Sequence, residues 1–247
     1  MGVPSDATIT WYGHACVEIR LDDGRTVLID PWFGNPSSPK SADEVTACDL
    51  LLVTHGHGDH LGDAVALAAR LRPAWPGIHD MCLWIARQLP GGSEQVIGMN
   101  KGGTVEAAGM RVTMTHADHS AGDWNAGGET TLYLGEAAGF VVELPSGYRI
   151  YHAGDTAVFG DMALIRDLHH PDLAMLPIGG HYTMDPVGAA LAVELLGVRD
   201  VMPIHYGTFP ILAGTPDQLR DALVDRGLVD VTVHDPAPGG SIARASG

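Results

Sequence analysis

Short apolar runs punctuate the chain, first as closely spaced strand-like segments and then alternating with helical ones. Residues 8–21, "TITWYGHACVEIRL", alternate and are rich in β-formers, so they read as a strand. "DDG" turns the chain into "RTVLIDPW", a second strand ending at Asp30-Pro31, and "FGNPSSPKSADE" is a loop by composition. "DLLLVTH" is a short continuous apolar run, as in a strand buried on both faces. "GDAVALAARL" has helical periodicity, with Asp59 or Asp63 near its start. The same reading gives a helix in "IHDMCLWIARQL", strands in "QVIGMN" and "GMRVTMTHADH", and a polar, glycine-rich loop over 120–131. "GFVVELPSGYRIYHAGDT" is a hairpin turning at residues 145–147. Helices in "GDMALIRDLHH", "DPVGAALAVELLG" and "TPDQLRDALVDRG" then alternate with strands in "DLAMLPIGG", "DVMPIHYG" and "VDVTVHD".

No linker, composition break or short repeat divides the pattern. It predicts one mixed domain over 1–247, an α+β chain with sheets covered by helices. Several unusual polar groups follow apolar strands: His55 after "LLLV", His119 after "RVTMT", Asp155 after "RIYHAG" and His205 after "DVMPI". A sheet is rigid while its loops vary, so strand ends on one edge can converge into a site.

Composition narrows the chemistry. Hydrophobic residues make up 45% and charged residues 18% of the 247, as in a compact globule. No apolar run approaches membrane-spanning length, and the N-terminus lacks a basic and then apolar leader, so the expected location is cytoplasmic. The net charge is −16 with 14 Lys and Arg, which argues against a nucleic-acid partner. Cys16, Cys48 and Cys82 are odd in number and form no C-x-x-C, so they read as small apolar residues. Thirteen histidines, by contrast, are many.

They crowd most densely in "VTHGHGDHLGD", residues 53–63. Neutral imidazoles and carboxylates are metal ligands. In an extended turn residues i and i+2 point the same way, so His55 and His57 can chelate one ion. Asp59 and His60, entering a helix, project elsewhere and can hold a second. Gly56 and Gly58 permit φ values and close approach that other residues resist. Such crowding is tolerable if cations absorb it.

"THGHGDH" with downstream "HADH", "HAGDT" and "PIHYG" resembles the metallo-β-lactamase superfamily. "WYGHACVEI", "IDPWFGNP", "HAGDTAVFGDM" and "LPIGGHYTMD" are similar to its small metal-dependent hydrolases near L-ascorbate-6-phosphate lactonase. The resemblance implies a four-layer αββα sandwich of two mixed sheets flanked by helices. It implies that His55, His57 and a later His bind one metal. Asp59, His60 and His205 bind the second, and Asp155 bridges both. "THADHS" offers His116 and His119; His119 is favoured, at the strand's end before Ser120. Asp30 either supports a ligand His or forms an Asp-Pro turn. His14 either lines the pocket or is a hydrogen-bonded core residue, and His152 reads as structural. His79, His169, His170 and His234 read as surface residues.

The expected activity is hydrolysis of an ester- or lactone-type small molecule by a hydroxide bridging two divalent ions. Zinc comes first, and manganese, iron and nickel suit the same donors. Asp59 would orient the nucleophile or take its proton, and a metal or His181 would stabilise the oxyanion. No P-loop, G-x-G-x-x-G or G-x-S-x-G occurs, so nucleotide binding and serine catalysis lack support. The alternatives are a phosphodiesterase or nuclease with the same metals, a β-lactamase, a non-catalytic metal-binding protein and a di-iron oxygen-reducing protein. A nuclease would need an added clamping segment, and a di-iron protein a carboxylate where His57 stands. The expected partner is a small-molecule substrate, with no membrane and a homo-oligomer compatible with the chain.

Overall fold

The computed structural model describes residues 3–124 and 130–243. Its first strands are β1 (Ala7–Trp11), β2 (Val17–Leu21), β3 (Thr26–Ile29) and β4 (Leu50–Leu52). The segment read as one strand over 8–21 is two, because Gly13 and His14 take φ of 92° and 51° and reverse the chain. The short helix α1 (Gly58–Leu61) and α2 (Ala64–Leu71) follow, then β5 (Trp75–Ile78), α3 (His79–Ile85) and β6 (Val96–Met99). Next come β7 (Thr104–Ala107), β8 (Met110–His116), β9 (Asp123–Trp124), β10 (Thr131–Leu132), β11 (Ala138–Glu143) and β12 (Arg149–His152). The chain closes with α4 (Met162–His169), β13 (Leu173–Pro177), α5 (Pro186–Leu196), β14 (Asp200–Ile204), α6 (Pro216–Asp225), β15 (Thr232–Val233) and β16 (Ser241–Ile242). Part of the loop expected over 120–131 lies outside the described residues, and its flanks pair as β9 and β10.

Two large sheets result. One has the order β16-β1-β2-β3-β4, antiparallel except between β3 and β4. The other has the order β15-β14-β13-β12-β11-β8-β7. In it β8, β12, β13 and β14 run in the same direction, with β11 reversed between β8 and β12.

Alternation along the strands sets the layers. Phe140, Val142, Ile150, Met175 and Met202 belong to one core with the first sheet and with Leu67, Met81 and Ile85 of α2 and α3. Their neighbours Val141, Tyr151, Ala174 and Val201 belong to a second core with residues of α4, α5 and α6. Successive strand side chains point to opposite faces, so the second sheet lies between the first sheet and α4–α6. Helices, two mixed sheets and helices therefore stack as the αββα sandwich. All three cysteines are buried and free.

The helices begin and end where local chemistry dictates. Asp185 caps α5 by accepting from the Gly188 amide at 2.8 Å, Pro186 opens it, and Gly197 ends it at φ 64°. Thr215 and Gln218 form a reciprocal capping box on α6. Among the described residues no helix is long and apolar enough to cross a membrane.

Candidate metal centre

The sheet directions bring the candidate ligands to one edge. His119 lies three residues after β8, Asp155 three after β12, and His205 directly after β14. These strands run the same way, so their C-terminal ends share one edge. His55, His57, Asp59 and His60 come from the other sheet, on the loop after β4 and on α1. The Ala138 amide donates to the Thr54 carbonyl at 3.0 Å and ties the two sheets together beside the cluster.

Close backbone approach is built into both loops. A Cβ on Gly56 would sit 2.6 Å from the Ala121 carbonyl oxygen, and one on Gly154 would sit 2.7 Å from Thr54 Cβ. Neither Gly56 nor Gly58 has a positive φ, so what Gly56 supplies is space. The Ala157 amide donates to the Asp118 carbonyl at 3.1 Å, and the Asp118 amide donates to Thr156 Oγ1 at 2.9 Å. These bonds hold His119 opposite Asp155.

Hydrogen bonds assign which imidazole nitrogen faces the centre. Asp30 is fully buried and accepts from the Thr54 amide, Thr54 Oγ1 and His60 Nδ1, each at 2.7 Å. His60 therefore turns Nε2 inward, where a cation would take the place of the proton that Asp155 otherwise holds there. Thr54 Oγ1 has given its proton to Asp30, so it accepts from His55 Nδ1 at 3.1 Å, which leaves His55 Nε2 for the centre. His55 Nε2 faces His57 Nδ1 at 2.9 Å, and His57 Nε2 lies 3.4 Å from Ser120 Oγ. Of the two readings of Asp30, the arrangement favours support for His60.

Asp155 is central. Its Oδ1 lies 3.3 Å from His60 Nε2; its Oδ2 lies 3.0 Å from His205 Nε2 and 3.5 Å from His119 Nε2. Yet His60 Nε2, Asp155 Oδ1 and both ring nitrogens of His205 are buried without a well-directed hydrogen bond. A buried polar atom left so costs about 1–3 kcal/mol. Cation ligands resolve that cost. Two donors at about 2.0–2.1 Å from one tetrahedral ion are about 3.3 Å apart.

Among the described residues three groups have ligand atoms within 4.8 Å of one another: His55–His57–His119, His55–His60–Asp155, and His14–Asp59–His60–His205. The donor set therefore fits divalent cations. His55, His57 and His119 can hold one, Asp59, His60 and His205 the other, with Asp155 between them.

Charge supports this arrangement. Burial pushes the His55 imidazole well below its usual pKa, so it stays neutral. Burial also opposes a charge on His60, but Asp155 and Asp30 outweigh it and hold its pKa well above the usual value. Burial alone would raise the Asp155 pKa, yet the His60 and His205 charges keep it well below the ordinary carboxylate range. At Asp59 burial again pushes upward, and the His14 hydrogen bond with the His60 charge pulls the pKa far down. Both carboxylates are ready to meet cations.

His116 turns away: it is exposed, contacts Lys101 Nζ at 3.2 Å and packs its ring against Phe159. His119, not His116, faces the cluster. His152 is buried, lies 3.3 Å from the Ala15 carbonyl through Nε2, and accepts from the Gly154 amide at 3.1 Å. His181 is in none of the candidate ligand groups found among the described residues. Gly180 and His181 take φ of 70° and 61°, which redirects the loop. The His181 ring packs on Tyr182 and lines a separate cleft of about 540 Å³ with Pro186, Val187 and Ile211.

Two groups gained significance only in three dimensions. Thr54, the first residue of "THGHGDH", was not singled out in the sequence, yet it orients His55 and backs Asp30. Trp32 and Phe209 pack edgewise on His14, their ring centroids 5.1 and 6.1 Å from its own, and flank the Asp59 side with apolar surface. The only signal in the sequence was their position beside Asp30-Pro31 and after "PIHYG".

A family model described as a beta-lactamase superfamily domain matches residues 25–206. A "UPF0173 metal-dependent hydrolase" of Roseiflexus sp. (strain RS-1) is 46% identical over 242 residues, covering 96% of this chain and 98% of that protein. One of the same description from Methanopyrus kandleri is 44% identical over 235 residues, covering 92% and 96%. Among solved structures, Igni18, a metallo hydrolase from Ignicoccus hospitalis, superposes with a TM-score of 0.83 at 32% identity, covering 96% of this chain and 98% of that one. The chain belongs to the metallo-β-lactamase superfamily, among the UPF0173 metal-dependent hydrolases.

Proposed function

We propose that the protein hydrolyses an ester or lactone bond of a small molecule, using two divalent cations of which zinc suits the donors best. The carrying observation is the inward convergence of buried, unpartnered His60, His205 and Asp155 atoms on one point beside His55, His57 and His119. When bound, such ions supply Lewis acidity at the substrate oxygen and water acidified toward neutral pH.

The chain's own residues do the rest. Asp59 is the most open carboxylate of the cluster, its side chain 34% exposed, and its lowered pKa keeps it ionised. It is placed to orient the attacking water and take its proton. Trp32 and Phe209 give the Asp59 side an apolar wall, which suits an uncharged acyl portion. The net charge of −16 disfavours a heavily anionic substrate. A small-molecule partner without nucleic acid or membrane, in the cytoplasm, is part of this reading.

Metal analysis of the purified protein should return two cations per chain. A screen of lactones, esters, phosphodiesters and β-lactams should favour the first two, and His57→Ala and Asp155→Ala should abolish turnover. Hydrolysis surviving both substitutions would sink the mechanism. A preference for phosphodiesters would replace the substrate class.

A further inference from the structure

We propose that His14 is a positioning residue for the metal centre: held by Thr208, it donates its Nε2–H to Asp59 and sets that carboxylate's orientation toward the second cation. The inference rests on the two-cation reading above and adds a supporting pair from two further segments.

His14 is fully buried in the turn between β1 and β2, at a φ of 51° that non-glycine residues seldom adopt. Such backbone strain persists only where the surroundings over-determine it. Here they do. The His14 carbonyl accepts from Trp11 Nε1 at 2.9 Å and from the His205 amide at 2.8 Å. Its ring lies against the His205 ring, centroids 3.9 Å apart. One residue thus touches two candidate ligands, His205 through backbone and ring and Asp59 through its side chain.

The proton can be placed. His14 Nε2 is 3.1 Å from Asp59 Oδ2 and Nδ1 is 3.0 Å from Thr208 Oγ1. An ionised carboxylate only accepts, so Nε2 carries the hydrogen. With the hydrogen on Nε2, the neutral tautomer leaves Nδ1 to accept from the Thr208 hydroxyl. The order is Thr208 Oγ–H to Nδ1, then Nε2–H to Asp59. Direct ligation by His14 is disfavoured on the same ground: unlike the nitrogens of His205 and Nε2 of His60, its Nε2 already has a partner. A fixed hydrogen bond to a ligand carboxylate orients it, and losing such support weakens metal affinity about 10–100-fold.

Metal-free wild type, His14→Ala, His14→Gln and Thr208→Val should be titrated with cobalt(II) chloride, following the visible absorption of each equivalent. Thermal unfolding of the metal-free proteins runs alongside. In His14→Ala the first equivalent should bind as in wild type and the second about 10–100-fold more weakly. His14→Gln, which keeps an N–H donor, should recover most of that loss. Thr208→Val should weaken the second equivalent less than His14→Ala does. Wild-type affinity for the second equivalent in His14→Ala overturns the proposal. So does a His14→Gln protein as weak as His14→Ala, which would point to direct ligation. If His14→Ala does not fold, Thr208→Val decides, and unchanged affinity and spectrum there count against the proposal. A wild type that takes only one cobalt refutes the two-cation reading and this inference with it. Two cobalts in wild type with indifferent variants refute this inference alone.

Discussion

The His55–His57–His119 half of the centre and the Asp59–His60–His205 half differ in what stands behind their ligands. In the first, His57 and His119 are only half-buried, and the Thr54 hydroxyl backs His55. In the second, Asp30 holds His60, His14 holds Asp59, and the backbone of His14 holds that of His205. One half is closer to solvent; the other is cross-braced from behind. The difference assigns stability to the second half and ready exchange to the first. Asp155 belongs to both.

The comparison breaks most visibly at Asp30. Asp30→Ala strips the acceptor from the Thr54 amide, the Thr54 hydroxyl and His60 Nδ1 at once. Removing one partner of a buried ion pair costs about 3–5 kcal/mol, so urea unfolding of the metal-free protein should show a drop of that order. A wild-type midpoint would mean the braces are idle. The first half should respond differently. His119→Ala should lose one cation of two by metal analysis while keeping the unfolding midpoint of the metal-free protein. His116→Ala should keep both, and if it instead released a cation the two histidines would have to be exchanged.

The smallest effect is a pH dependence. His14 in the fold has a pKa of about 4, below the usual 6.5 of the unfolded chain. As pH falls from 6.5 toward 4 the unfolded state takes up a proton that the folded state refuses, so stability falls. His14→Gln cannot titrate, and the metal-free variant should lose less stability over that window. Parallel curves for the two proteins would remove His14 from the account.

The strand pattern and the clustered ligands were legible because both are local. Apolar runs bounded by turns gave β3, β4, β8, β11, β12, β13 and β14, and chelating side chains lay within one turn of each other. The strand expected over 8–21 split because only Gly13 hinted at the reversal at His14. β5, with Pro76 and Gly77 inside it, and the short β7 and β16 carry weak signals. The supports were illegible for another reason. Asp30 could be read only as either a support or a turn former, and Thr54 and Thr208 are ordinary residue types whose bonds to Asp30 and His14 span 24 and 194 positions. His181 follows a buried strand, as the other candidates do, and two successive positive φ values turn it toward a cleft with Pro186, Val187 and Ile211.

The hydrogen bond between the Ala138 amide and the Thr54 carbonyl lies at a seam where each sheet contributes part of one cation cage. Cations bound there, as proposed, would fasten one half of the sandwich to the other, so the seam is where an unloaded molecule should breathe first. Exchange of the Ala138 amide with deuterated solvent should slow on cation addition far more than that of amides deep within either sheet.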